Sequence, residues 1–180
     1  MALNGTLIFG EARPGSGNDL WVLSPKGEPA AWLATGADEL HGRMSPDGRL
    51  LAYSSNESGR REVYVQPFQG SRERVQLSTD GGGEPAWSPK GNRIFYRQGN
   101  AMMAVDLAQG ERLAVGKPKR LFDAGWELGS GWDPAITASF AVMPDGERFL
   151  MVRYEPDAIP TRINVVLNWF DELRRRVPTR

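Results

Sequence analysis

The stretch SPDGRLLAY at residues 45–53 decides the fold, because the chain repeats it. It returns as SPKGNRIFY at residues 88–96, and again, after a longer connection, as MPDGERFLM at residues 143–151. A partial copy, NGTLIF, stands at residues 4–9. Repeats of about 40–45 residues with four strands each are the sequence signature of a β-propeller.

Each repeat contains a turn and four short strands, which we label A to D. Ser-Pro-Asp-Gly predicts a type I turn between A and B, since proline presets φ at the second position and glycine closes the fourth. The B strands are apolar at consecutive positions, which is typical of strands covered on both faces. The predicted strands are 42–45, 85–88 and 140–143 for A, 50–54, 94–97 and 149–153 for B, 20–23, 63–65, 103–105 and 163–169 for C, and 32–33, 75–77 and 120–122 for D.

This strand inventory predicts an all-β chain that forms a single partial β-propeller over residues 1–180. It holds about three and a half four-stranded blades, followed by a short helix at 170–177 that Pro178 ends. An open half-ring would expose blade faces and strand edges. We therefore expect a homodimer in which a second copy completes a ring of seven or eight blades. The predicted blades span approximately 1–36, 39–80, 83–123 and 137–169.

The composition excludes several classes of protein. Lys plus Arg and Asp plus Glu both number 22, so net charge gives no reason to expect a nucleic-acid or membrane partner. The absence of cysteine excludes disulfides and thiolate sites, and the single histidine, His41, excludes a multi-histidine metal site within one chain. No apolar run is long enough for a membrane span, and no signal peptide is visible. The sequence thus predicts a soluble protein, cytoplasmic as written, or extracytoplasmic if it belongs to a larger membrane-anchored parent.

The repeat SPDGRLLAY resembles the TolB-like (WD-repeat-like) propeller repeat of bacteria. The C-terminal stretches PDGERFLM at 144–151 and INVVLNWFDEL at 163–173 are similar to the end of propeller modules attached to bacterial serine/threonine protein kinases. The resemblance implies a propeller whose relatives serve as sensors, translocation proteins and peptidase accessory domains. Lys90 departs from the usual aspartate of the turn, and the chain carries no kinase motif, so it is not a kinase.

One repeat position predicts a candidate site at the mouth of the central channel, which strand A lines in a propeller. Alignment on the turn prolines places His41, Glu84 and Ser139 at the same position of successive blades. His41 and Glu84 are the candidate catalytic residues, while Glu84 and Asp133 would hold a divalent cation such as calcium. The candidate ligand-binding residues are Asp38, Glu39, Trp132, Asp133 and Ser139. The alternative interpretation is a solvated rim that is hydrogen-bonded to neighbouring loops.

Three functions remain open at this point. The first is a non-catalytic module that binds a peptide, protein or small ligand across the channel face. The second is a metal-dependent hydrolase, of esterase or phosphotriesterase type, at the channel mouth of the assembled propeller. The third is a structural fragment without activity. A serine-hydrolase triad is excluded because the glycine-flanked serines Ser16 and Ser130 lack the Gly-x-Ser-x-Gly elbow.

Overall fold

The described residues form four antiparallel sheets that follow one another along the sequence. The structure is a computed structural model that describes residues 5–13, 15, 17–71, 73–108, 113–123 and 138–152. The described residues contain no helix, and therefore none with the length and apolar character of a membrane span. Sheet 1 contains β1 (Leu7–Arg13), β2 (Gly17–Leu23) and β3 (Ala30–Leu33); sheet 2 contains β4 (Glu39–Met44), β5 (Leu50–Ser55), β6 (Glu62–Pro67) and β7 (Val75–Gln76); sheet 3 contains β8 (Gly83–Trp87), β9 (Arg93–Gln98), β10 (Ala101–Ala108), β11 (Ala114–Val115) and β12 (Lys119–Asp123); sheet 4 contains β13 (Phe140–Val142) and β14 (Phe149–Met151).

The repeated turn has the predicted geometry in each copy. Gly48, Gly91 and Gly146 have φ values of 74°, 69° and 73°, in the left-handed region that glycine enters without steric cost. Each of these glycines donates its N–H to the carbonyl three residues earlier, at 2.9 Å. A Cβ on Gly91 would lie 3.3 Å from Cδ of Pro46. The turn glycine of one sheet therefore packs against the turn proline of the sheet before it.

The sheets pack against one another in chain order, with an apolar cluster between each pair. Strand β4 contacts β1 and β2, β8 contacts β4, β5 and β6, and β13 contacts β8. The cluster between sheets 1 and 2 is built around Leu20 and Tyr53, and that between sheets 2 and 3 around Val63 and Tyr96. Between sheets 3 and 4, Phe95 packs edge-to-face on Phe149, with ring centroids 4.9 Å apart. The first strands of sheets 2, 3 and 4 thus lie side by side.

The predicted burial of the B strands is confirmed where a sheet has neighbours on both sides. All six residues of β5 are buried, and Tyr53 and Tyr96 are 0 % and 1 % exposed. Strand β14 belongs to the last described sheet, and there the exposed fraction of Leu150 is 66 %. Consecutive burial therefore follows from the position of a strand between two sheets, as the sequence pattern indicated.

Several strand boundaries differ from the predictions, and the differences in strands A and D bear on the site. Strand A begins at Glu39 in sheet 2 and at Gly83 in sheet 3, earlier than predicted, because each strand continues through a β-bulge. The D strand of sheet 3 is divided into β11 and β12, which pair with opposite ends of β10. The predicted strand at 163–169 and the helix at 170–177 lie outside the described residues.

Candidate functional site

His41 and Glu84 occupy the same unusual backbone conformation at the same position of the repeat. Both have φ of 55°, in the left-handed region, and they are the described non-glycine residues with positive φ. The ladder register shifts between Leu40 and Arg43 in β4 and between Gly83 and Ala86 in β8, so each residue lies within a bulge. A bulge redirects a side chain out of the regular alternation of the strand. Such conformations cost of order 1–3 kcal/mol each and cluster at binding sites and clamps.

Glu84 joins sheet 3 to sheet 4. Its Oε2 accepts hydrogen bonds from the backbone N–H and the hydroxyl of Ser139, both at 2.6 Å. Its Oε1 accepts a hydrogen bond from the Arg97 guanidinium at 3.3 Å, and the same guanidinium donates to Oγ of Ser139. Glu84 is 5 % exposed and Ser139 is fully buried. The structure therefore brings these two predicted site residues into direct contact, with both oxygens of the carboxylate engaged.

The His41 side chain contacts a residue of its own sheet, at the repeat position that Arg97 occupies in sheet 3. Its Nδ1 lies 3.2 Å from Oγ of Ser54, and Ser54 is the repeat equivalent of Arg97. The Ser54 hydroxyl donates to the carbonyl of Leu40 at 3.2 Å. Because a hydroxyl has a single proton, Ser54 accepts from His41, which places the imidazole proton on Nδ1.

Asp38 connects sheet 1 to sheet 2. One carboxylate oxygen accepts hydrogen bonds from the backbone N–H and the side-chain amide of Asn18, both at 2.9 Å. The other accepts from Asn56 at 3.3 Å. The hydrogen bonds from Asn18 hold the pKa of Asp38 below its usual value, and the positive charge of Arg61 contributes. Asp38 is thus committed to the junction between the sheets.

Glu39 also lies at a junction between sheets. Its carboxylate accepts a hydrogen bond from a hydroxyl, and at the next junction a different residue supplies the carboxylate. At the junction of sheets 1 and 2, Thr35 donates to Oε1 of Glu39 at 2.5 Å. At the next junction Ser78, the repeat equivalent of Thr35, donates to Oε2 of Glu62 at 2.5 Å. The equivalent of Glu39 there is Gly82, where a Cβ would lie 2.6 Å from Oγ of Ser78. Each of these two junctions therefore has one buried carboxylate, supplied from the first residue of strand A in one case and from strand C in the other.

We expect Glu39→Gln to raise the free energy of unfolding at pH 7. Burial raises the pKa of Glu39 above its usual value of 4.5, and Oε2 has no hydrogen-bond partner among the described residues. A carboxyl whose pKa is raised in the folded state stabilises below its unfolded pKa and loses that contribution as pH rises through the folded pKa. The advantage of glutamine should thus appear above about pH 5 and vanish at pH 3.

Urea unfolding of wild type and Glu39→Gln between pH 3 and pH 8 measures this difference. Glu28→Gln is the matched control, because Glu28 is exposed and its replacement should leave the pH profile unchanged. A Glu39→Gln protein less stable than wild type at pH 7 would show that the negative charge itself supports the junction.

Two pockets open beside Glu84. The larger, of about 540 Å³, lies along β4, β8 and β13, with a mostly apolar wall and with Arg43 and Glu84 at its polar edge. The smaller, of about 260 Å³, is lined by His41, Arg61, the glycines 81–83, Glu84, Arg97 and Gly99. His41 and Glu84 therefore border one pocket, and their role in catalysis or binding stays a prediction. Trp132 and Asp133 lie outside the described residues.

Three arginines complete the site, and the sequence analysis did not assign them to it. Arg43 stands two residues after His41 on β4, at the end of the bulge, and lines the larger pocket with Glu84. Desolvation in the groove lowers the pKa of Arg43, and the nearby charge of Glu84 opposes this shift. Arg97 follows Tyr96 in the strand B motif, whereas nothing in the repeat points to Arg61. Among the described residues no group of three or more histidines and acids has the geometry of a metal site.

Comparison with solved structures shows the fold. A protein assigned as TolB from Agrobacterium tumefaciens aligns with a TM-score of 0.59 and 20 % sequence identity over 84 % of this chain. TolB from Acinetobacter baumannii aligns over 86 % of the chain with a TM-score of 0.48 and 18 % identity. The chain spans 55 % and 48 % of those two proteins, about half of each. No family model and no curated protein matches the sequence. The chain has a TolB-like β-propeller fold.

Proposed function

We propose that this protein is a non-catalytic propeller module that binds a peptide, protein or small ligand across the face formed by its A strands. The observation that carries the proposal is the larger pocket, where β4, β8 and β13 meet. A concave, mainly apolar site with a few placed polar groups is the usual form of a binding site. Here the apolar wall includes Trp87, Phe140 and Leu150, and the polar groups are Arg43 and Glu84.

The rigidity of this wall supports a role in binding. The indole N–H of Trp87 donates to the carbonyl of Arg43 at 2.8 Å, which fixes the ring across the junction of sheets 2 and 3. Phe140 is 6 % exposed and packs against Phe149, so its position is also fixed. A site with anchored aromatic groups loses little conformational entropy when a ligand binds.

Binding is favoured over hydrolysis by the hydrogen bonds of Glu84. A general base or a metal-bound carboxylate needs an oxygen that can reach the water or the ion. Both oxygens of Glu84 accept hydrogen bonds inside the protein, and the Ser139 hydroxyl donates its proton to one of these oxygens. The resemblance of the C-terminal stretch to kinase-attached modules supports a sensor role for such a binding face.

Blocking the larger pocket tests the proposal. Ala141 lines it with an exposed side chain, so we expect Ala141→Trp to fill the pocket without disturbing the core. Peptides selected from a displayed random library on the wild type should lose at least about tenfold in affinity for Ala141→Trp, measured by calorimetric titration. Ala31→Trp, on the exposed strand β3, is the matched control and should bind as the wild type does.

Either of two results would contradict a binding face at this pocket. One is a selected peptide whose affinity is equal for the wild type, Ala141→Trp and Ala31→Trp, because it would bind elsewhere. The other is a library in which no peptide is enriched above an unrelated control protein.

We also propose that a second copy of this chain is a partner. In β14, Phe149 packs towards sheet 3, while Leu150, 66 % exposed, lies at the rim of the larger pocket and at the open edge of sheet 4. In β1, Ile8 packs towards sheet 2, so Leu7, 43 % exposed, faces away from that sheet. In a two-fold dimer the open face of sheet 4 would cover the open face of sheet 1 of the other copy, and the reverse.

Light scattering at micromolar concentration should therefore give about twice the chain mass of 19.9 kDa. Leu7→Asp should shift the protein towards the monomer, because a charge would be buried at the contact, and it leaves the larger pocket untouched. A wild-type protein that stays at the chain mass would contradict the dimer.

A further inference from the structure

We infer that the smaller pocket, bordered by His41, Arg61 and Arg97, is an oxyanion subsite that takes a carboxylate or phosphate group. This inference rests on the proposed function and deepens it, since it names the chemistry of one end of the ligand. We call this pocket the arginine pocket.

The described side chains that line the arginine pocket carry more positive than negative charge. It has two guanidinium groups, Arg61 and Arg97, and one carboxylate, Glu84. Glu84 is matched by Arg97 and by the two hydrogen bonds from Ser139. Arg61 makes no ion pair or side-chain hydrogen bond with any part of the chain that the structure describes. The net charge that remains in the pocket is that of Arg61.

Asp38, an acid on which the charge of Arg61 acts, already has hydrogen-bond partners of its own. The charge of Arg61 acts on Asp38, whose oxygens accept hydrogen bonds from Asn18 and Asn56. Arg61 is half-buried, so its charge is less screened by water than that of an exposed arginine. A half-buried guanidinium without an internal partner is well suited to bind an external carboxylate or phosphate, which match its fork of donors.

Four glycines line the arginine pocket, and the absence of their side chains leaves space for a ligand. The run at 81–83 and Gly99 line it without side chains, and a Cβ on Gly83 would lie 3.7 Å from Cδ of Arg61. A larger residue at Gly83 would therefore occupy the space beside Arg61. The N–H groups of Gly81 and Gly82 donate to Glu62 and to the carbonyl of Arg61. Those two amides are committed, so the guanidinium of Arg61 is the donor that would hold the anion.

His41 closes the opposite side of the arginine pocket. Its Nδ1 is directed to Ser54, and the ring is held by the bulge at φ 55°. The larger pocket also borders Glu84, so a ligand that fills it can extend an acidic group towards Arg61.

Titration with inorganic phosphate and, separately, with acetate tests the inference in the full chain. The readout is the side-chain Nε–H resonance of each arginine, followed by two-dimensional NMR at constant ionic strength. We expect saturable shifts of the Arg61 signal, with Kd in the millimolar range for at least one of the two anions. A stronger response to phosphate would indicate a phosphorylated ligand, and a stronger response to acetate an acidic peptide or a chain terminus.

Variants separate a site from general attraction of anions. Arg61→Gln should weaken binding of the responding anion at least about tenfold, and Arg61→Lys should weaken it less because the charge is kept. Lys26→Gln removes the same charge from an exposed turn and should leave binding unchanged. Since Arg61 makes no ion pair with the described residues, Arg61→Gln should unfold close to the wild-type midpoint, which would exclude misfolding as the cause.

Two outcomes would overturn the inference. One is no saturable shift of the Arg61 signal with either anion up to about 50 mM. The other is equal weakening by Arg61→Gln and Lys26→Gln, which would show attraction without a site. Failure of the proposed function is distinguishable, because it would appear as peptide binding that Ala141→Trp leaves intact while the Arg61 signal still responds to an anion.

Discussion

Tyr96→Ala is expected to lower the free energy of unfolding by about 3–5 kcal/mol, as for other large-to-small changes of buried aromatic residues. Tyr96 is 1 % exposed and lies in the cluster between sheets 2 and 3, with Leu50 and Val63. The site has little freedom to collapse, because Gly82 approaches the ring from the connecting segment. Stability in repeat proteins depends on contacts between neighbouring units, so the loss should also loosen sheet 3 from sheet 2.

Urea unfolding measures the effect, and Tyr96→Phe is its control. Burial raises the pKa of Tyr96 to about 12, and the charge of Glu62 adds to this, so the hydroxyl stays protonated under all ordinary conditions. Removal of that hydroxyl should cost much less than removal of the ring. Tyr53→Ala, in the same place between sheets 1 and 2, should match Tyr96→Ala. An unchanged midpoint for Tyr96→Ala would refute the register of the B strands.

The fold was predictable because each repeat contains a recognisable turn and a consecutively apolar strand. The turn glycine must adopt positive φ, and Gly48, Gly91 and Gly146 do so. Consecutive apolar residues in strand B require cover on both faces, and β5 has it. These properties depend on residues within about ten positions of each other, so the sequence of one repeat is sufficient to infer them.

The repeat alignment predicts which side chains lie near one another and says less about their chemistry. The repeat alignment placed His41 and Glu84 together, and both border the arginine pocket. It gave no sign that each would have positive φ, because neither is glycine or asparagine and the bulge is set by the packing of whole sheets. The sequence also gave no reason to single out Arg61, since the absence of an ion pair between Arg61 and the other described residues depends on contacts distant in sequence.

The buried carboxylates Glu39 and Glu62 show why the hydrogen-bond acceptor of a given residue cannot be predicted from its position in the repeat. Thr35 and Ser78 are equivalent, and each donates to a buried carboxylate. The carboxylate is Glu39 at one junction and Glu62 at the other, so neither acid is conserved in position between repeats. The three-dimensional requirement is one acceptor for one hydroxyl, and different places in the chain can satisfy it.

Glu84→Ala is expected to destabilise the protein by about 3–5 kcal/mol, with the largest effect on sheet 4. Removing one member of a buried charged pair is strongly destabilising, and Arg97, 14 % exposed, would lose its ion-pair partner Glu84. Ser139 would lose the acceptor of both its backbone N–H and its hydroxyl. Because Glu84 ties Ser139 to sheet 3 just before β13, amide hydrogen exchange should accelerate at 138–152 more than in sheet 2.

Two further variants separate the hydrogen bonds of Glu84 from the strain of its backbone. Glu84→Gly loses the same side chain but adopts φ of 55° freely, so it should be less destabilised than Glu84→Ala. Glu84→Gln keeps an acceptor for Ser139 and loses the charge that faces Arg97, so it should lie nearer the wild type. Glu73→Ala, at an exposed position, is the control for loss of an acidic side chain. If exchange at 138–152 is the same in Glu84→Ala and Glu73→Ala, Glu84 does not hold sheet 4, and its carboxylate is free to serve a ligand.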